Sequence, residues 1–286
     1  MDVTIDHVTV AGAELDPLRE AFAALGLESD YGGPHSSGGT HMALIGFDDG
    51  SYIELIAARA RGQAGGLWAA QIAGDGGPCA WAARTGAIAE EAARVAALGV
   101  AVRGPEAMQR QRPDGVMVEW ELAFLGTAVA GATLPFLIQD QTPREWRVRT
   151  SASVAGGPLR GVSQVILGVE AIEPAAKLFR RVYGWATPTR RDDAQLGAAL
   201  AAFAGAPVTL AAPLPDASGD WLRERLARFG PAPCAYLLAT SDLAGASPRV
   251  PLGTPGDWFG QPVAWYPAER LRGTRLGVVA NASRAH

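Results

Sequence analysis

The chain has 286 residues, enough for two domains of ordinary size. It is 48% hydrophobic and 19% charged with a net charge of −4 and no dense basic run, which excludes a disordered chain and argues against nucleic acid as a partner. No apolar stretch approaches the roughly 20 residues of a membrane span and the start reads as a strand, so a cytoplasmic protein with Cys79 and Cys234 reduced is the expectation.

Residues 3–10 read as the first strand. A helix follows, with Asp16 placed to cap it and Pro17 at its first position, where a missing N–H removes no hydrogen bond. Leu15, Leu18, Phe22 and Leu25 form its apolar stripe and Gly26 its stop. Strands near 28–34, 40–47 and 51–57 complete the order βαβββ. Asp49-Gly50 between two apolar runs is a hairpin signal, because glycine supplies the positive φ such turns need. In the last strand, alternation puts Tyr52, Glu54 and Ile56 on one face and Ile53 and Leu55 on the other. Neither face is plainly polar, so Glu54 either lines a polar cavity or has a partner.

After a loose region over 58–77 the pattern returns: a strand at 79–84, a helix at 86–98 ended by Gly99, and strands near 100–109, 115–125 and 133–140. Ala24-Leu25-Gly26-Leu27 recurs as Ala97-Leu98-Gly99-Val100. Residues 151–158 have the small, Gly-rich composition of a linker. A third copy has a strand at 161–168, a helix opened by Pro174 and closed near Gly184, and strands near 186–191, 195–204 and 206–212. Residues 78–85 match 233–240 at an offset of 155, and the same offset carries 51–57 onto 206–212, so the second half repeats the first. In the fourth copy Ser247-Pro248 and Pro251 erode the helix. The reading is an α+β protein of four βαβββ modules in two domains, 1–150 and 158–286.

The paired modules, the opening Ile5-Asp6-His7-Val8, the phrase Gly39-Thr40-His41-Met42-Ala43-Leu44 and Tyr52-Ile53-Glu54-Leu55 resemble the vicinal oxygen chelate superfamily, and within it a glyoxalase-like branch of unassigned function. The resemblance covers residues 3–145 best. It implies that two modules pair curved mixed sheets into a cup holding a divalent metal (Fe, Mn, Ni or Zn), with ligands mainly from the first and last strands of a module.

His7 lies in the first strand of its module and Glu54 in the last; if these pair, imidazole and carboxylate face one cavity as metal ligands or substrate contacts, the plainer alternative being a buried structural pair. His41, after Gly38-Gly39, is a candidate third ligand, an acid–base group or a structural residue, and His35 reads as surface. Tyr52, Trp81, Trp120 and Gln139 are candidate substrate contacts. The second module offers Ala80 against His7, and the second domain offers Gln164 and Thr209 against His7 and Glu54, so any active centre belongs in residues 1–145. Two function classes stay open. One is a metalloenzyme of the lyase or isomerase type stabilising an enolate, or with iron an extradiol-type dioxygenase, in which Glu54 or His41 moves a proton. The other is a metal-free protein sequestering an apolar small molecule, as bleomycin-resistance relatives do. Whether two chains form a homodimer also stays open.

Overall fold

The computed structural model describes residues 2–35, 38–60, 62, 66–215, 220–247 and 249–280. The first module is β1 (Thr4–Ala11), α1 (Leu15–Ala24), β2 (Asp30–Pro34), β3 (Thr40–Gly46) and β4 (Tyr52–Ala58). A short α2 (Ala69–Ala73) leads to the second, β5 (Gly77–Arg84), α3 (Ile88–Ala97), β6 (Val102–Gln111), β7 (Met117–Leu125) and β8 (Phe136–Asp140), followed by the single turn α4 (Arg144–Arg147). The third is β9 (Leu159–Gly168), α5 (Ile172–Tyr183), β10 (Thr189–Asp193), β11 (Ala198–Ala202) and β12 (Val208–Pro213). After α6 (Trp221–Phe229) comes the fourth, β13 (Ala232–Thr240), β14 (Gly256–Trp258), β15 (Gln261–Trp265) and β16 (Arg275–Ala280), with no α-helix between β13 and β14 among the described residues. Pro248 lies outside them.

Each half is one eight-stranded mixed sheet, in the orders β2-β3-β4-β1-β5-β8-β7-β6 and β10-β11-β12-β9-β13-β16-β15-β14. In both, the first strands of two modules lie antiparallel at the centre, each flanked by the parallel last strand of its own module. The helix-bearing faces share one apolar core that runs through both halves, from Leu18, Phe22 and Trp81 to Phe179 and Tyr236. The opposite face of the first sheet curls into a cup. Its edge strands are drawn together where the Arg110 guanidinium on β6 donates to the Gly32 carbonyl on β2.

Helix α1 starts earlier than the expectation: Pro17 sits third, and Asp16 lies in the first turn, where its charge favours the helix dipole while the N-cap Glu14 makes no side-chain cap bond. Gly26 ends it with φ +90°. The segment 151–158 is no loose tether. Ser151 is buried, accepts the Gly46 amide at 3.1 Å and donates to Asp30 at 2.9 Å. Gly46 permits this because a Cβ there would lie 2.0 Å from the Arg149 carbonyl oxygen. No helix among the described residues is long and apolar enough to cross a membrane. Both cysteines are buried free thiols.

Candidate functional site

The site begins with a β-bulge. Along β1, Ile5 pairs with Ala83 and His7 with the adjacent Ala82, so Asp6 is the extra residue and strict alternation is broken there. A bulge re-aims side chains, and here two consecutive ones meet: His7 Nδ1 lies 2.7 Å from Asp6 Oδ1. The His7 ring stacks on Tyr52, its register partner on β4, at 4.5 Å between centroids, and meets Phe136 edge-on at 5.3 Å. With Nδ1 held on Asp6, Nε2 faces the cup, 3.6 Å from Glu54 Oε2.

Glu54 is buried in the middle of β4, and its other oxygen lies 3.0 Å from His35 Nε2. His35 Nδ1 is 2.8 Å from the Thr40 hydroxyl. With a proton on Nε2, His35 donates to the carboxylate, while its Nδ1 shares a hydrogen bond with the Thr40 hydroxyl. The Thr9 hydroxyl reaches Glu54 Oε2 at 3.4 Å. Burial alone would push the Glu54 carboxyl up; the His35 hydrogen bond and the charges of His35, His7 and Arg110 outweigh it and hold the group below its usual range.

Behind His7 lies a buried charge network anchored on α4. Arg147 donates to Asp6 at 2.9 and 3.1 Å, to Asp140 at 2.5 Å and to the Tyr52 hydroxyl at 2.7 Å, while Arg144 donates to Asp6 at 2.6 Å. Asp6 is fully buried, which opposes its charge, yet the Arg147 charge and the His7 hydrogen bond hold its carboxyl well below the ordinary value. Burial pushes the Tyr52 phenol upward, so it stays neutral. Asp6 therefore fixes the His7 tautomer, and Glu54 is the ionised group that faces the cavity.

The cavity measures about 230 Å³. Its walls are apolar, chiefly Met42, Ile56, Trp68, Trp120, Leu122 and Phe136, with His7, His35, Glu54, Tyr52, Arg110 and Arg147 as the polar groups. Of the residues singled out from the sequence, His7, Glu54, Tyr52 and Trp120 meet here. His41 does not: Thr40 and Met42 face the cup, so strand alternation turns His41 to the other side, against Tyr31. Trp81 packs in the core beneath the sheet with its indole N–H on the Thr133 carbonyl. Gln139 accepts the Ile88 amide at the start of α3, 2.8 Å away. Sequence reasoning missed Asp6, His35, Arg110 and Arg147. The Asp-His pair at 6–7 was visible, but alternation assigns its members to opposite faces, and only the bulge reunites them.

A divalent metal does not fit these residues. Among the described residues no three of His, Cys, Asp or Glu converge as a metal site. The registers put Ala80 at the second module's counterpart of His7 and Phe136 at that of Glu54, a methyl and a phenyl where further ligands would stand. Glu54 is engaged by His35 and Thr9, and two guanidinium groups share the cup. The proposed third ligand, His41, points away. In the second sheet Gln164 and Thr209 occupy the registers of His7 and Glu54, bonded to each other at 2.9 Å, and the Trp258 indole donates to Gln164 at 2.9 Å. Trp258 and Leu237 pack within the apolar cluster on that face.

A family model described as a glyoxalase-like domain matches residues 5–183. No functionally curated protein matches the chain. A hypothetical protein from Staphylococcus aureus superposes with TM-score 0.62 at 15% identity, over 96% of this chain and 98% of that one. A mutant of 4-hydroxymandelate synthase from Streptomyces coelicolor gives 0.62 at 12%, over 100% of this chain and 94% of that one. Methylmalonyl-CoA epimerase from Mycobacterium tuberculosis gives 0.38 at 18% over 45% of this chain and 92% of its own. The two likenesses at TM-score 0.62 concern the fold alone.

Proposed function

The chain belongs to the glyoxalase-like domain family, and from that premise we propose that its first cup takes a small, largely apolar molecule on which Glu54 acts as proton acceptor, without a metal. One observation carries the reading: an ionised carboxylate bridged to two histidines lines an otherwise apolar hollow. Burial makes Glu54 a stronger base toward a bound C–H or O–H than it is in water, once a ligand displaces solvent and its His35 bond yields. His7, oriented by Asp6, takes up or returns the proton at Nε2. This is the enolising chemistry of an isomerase or lyase, performed by side chains alone.

The test uses 2-tetralone, an apolar ketone with exchangeable C–H bonds. Binding is read by quenching of Trp68 and Trp120, and proton transfer by NMR of C–H/D exchange in D2O. The expected result is saturable binding and catalysed exchange, with Glu54→Gln keeping the binding and losing exchange about 100-fold or more. Binding without catalysed exchange would favour the sequestering role; absence of binding would remove the cup as the site.

A further inference from the structure

The two arginines of the cup are not equivalent. Arg147 is paired with Asp6 and Asp140. Arg110 makes no ion pair among the described residues, although it is 5% exposed and lines the cavity. Its only hydrogen bonds there go to two backbone carbonyls, Gly32 on β2 and Arg147 at 3.2 Å. Carbonyl oxygens satisfy donors without cancelling charge, and a guanidinium has five N–H groups. Glu54 comes within no ion-pair distance of it. Arg110 is thus a fixed positive charge with no contact ion pair among the described residues, set in the wall of an apolar hollow where Glu54 acts on it only from beyond ion-pair distance.

We infer that the natural ligand of the cup is an apolar molecule carrying a carboxylate, which pairs with the Arg110 guanidinium while its reacting C–H or O–H lies toward Glu54. The inference rests on the cup being the functional site. Clasping β2 to β6 accounts for Arg110's two carbonyl bonds, and a neutral glutamine amide would serve that end without leaving a charge unpaired. Burial also lowers the Arg110 pKa from its usual value, against the opposing pull of Tyr52 and Glu54. Planar carboxylates match the guanidinium fork in geometry as well as charge. Asp6 and Asp140 show the same chemistry one layer deeper, already used on Arg147.

The probes are 3-phenylpropanoate and its primary amide, equal in shape and different in charge, titrated by calorimetry. The wild type is expected to bind the acid at least tenfold tighter than the amide. Arg110→Met should bring the two within twofold without weakening the amide, and Arg110→Lys should keep a preference for the acid. Should Arg110→Met fail to fold, a crystal structure of the wild type with 3-phenylpropanoate decides, the carboxylate lying within about 3.2 Å of the guanidinium. Equal affinities for acid and amide, or a preference that survives Arg110→Met, overturn the inference. If 2-tetralone binds and both phenylpropanoids do not, the anion inference alone fails; if none of the three binds, the cup reading fails with it.

Discussion

At the scale of single residues the site is a run of alternating partners: Arg147, Asp6, His7, Glu54, His35. Each is held by the next, so the consequence of removing one follows from what it leaves behind. His35→Ala strips Glu54 of its main stabiliser and uncovers the burial effect, which is the largest influence on that carboxyl and pushes its pKa up. In the wild type the depressed value gives stability that is present above the unfolded pKa of about 4.3 and lost as pH falls below it. In the variant the sign reverses, so the acid limb of the tetralone exchange profile is expected to move to higher pH. An unmoved limb would deny His35 that role. Arg147→Met leaves Asp6 charged and fully buried with Arg144 as its one cationic partner beside the His7 hydrogen bond, and is expected to destabilise by about 3 kcal/mol in urea unfolding. Adding Asp6→Asn should recover part of the loss. Glu54 was legible from sequence as an acid in an apolar strand. His35 was not, because a loop histidine after a proline carries no periodicity to say which way it faces.

At the scale of elements, period-2 patterning located the strands well. Tyr52, Glu54 and Ile56 face the cup, and Ile53 and Leu55 pack beneath with α1. Glycine stops fixed the helix ends, as Gly184 in the left-handed region after α5 shows. The connectors α2 and α6 escaped notice: five residues of α2 are too few for a helical period. The bulge at Asp6 escaped too, since its signal is a register between strands rather than a pattern within one. Asp6→Asn keeps the strand and its shape but no longer enforces the His7 tautomer. The expected outcome is a changed His7 Nδ1 signal in nitrogen NMR, with a lowered melting temperature because Arg147 and Arg144 lose a buried anion. Gly46→Ala sets a Cβ against a backbone carbonyl that cannot swing away, and should cost about 1–3 kcal/mol on thermal or urea unfolding.

At the scale of the molecule, one cup is open and the other filled. The repeat at offset 155 and the loss of His and Glu counterparts in the second half were readable from the sequence. That Trp258 packs over the Gln164–Thr209 pair was not, because its contacts are made across the sheet. The halves are joined by polar as well as apolar contacts. The Tyr236 hydroxyl lies 2.9 and 2.8 Å from the Thr9 and Ala80 carbonyls, and the Ser51 hydroxyl accepts the Val162 amide at 2.8 Å. A shared core of this kind predicts a single unfolding transition in calorimetry, with calorimetric and van't Hoff enthalpies equal. Two separated transitions would show that the halves fold independently. Addition of Mn, Fe, Ni or Zn after chelation is expected to leave that transition in place; an increase of about 2.7 kcal/mol, the linkage effect at a hundredfold excess over Kd, that Glu54→Gln removes would restore the metal reading.

Both sheets bend at equivalent points. Asp6 and Ser163 are the extra residues of β1 and β9, and Cys79 and Cys234 those of β5 and β13. Two irregularities at matching positions extend the repeat from the sequence to the backbone: the second half copies the first down to its strand registers. The kink that brings a carboxylate beside an imidazole in one half carries serine and glutamine in the other. The same kink can therefore be built without an acid or an imidazole, and what it presents to the cup is decided by the two side chains it re-aims.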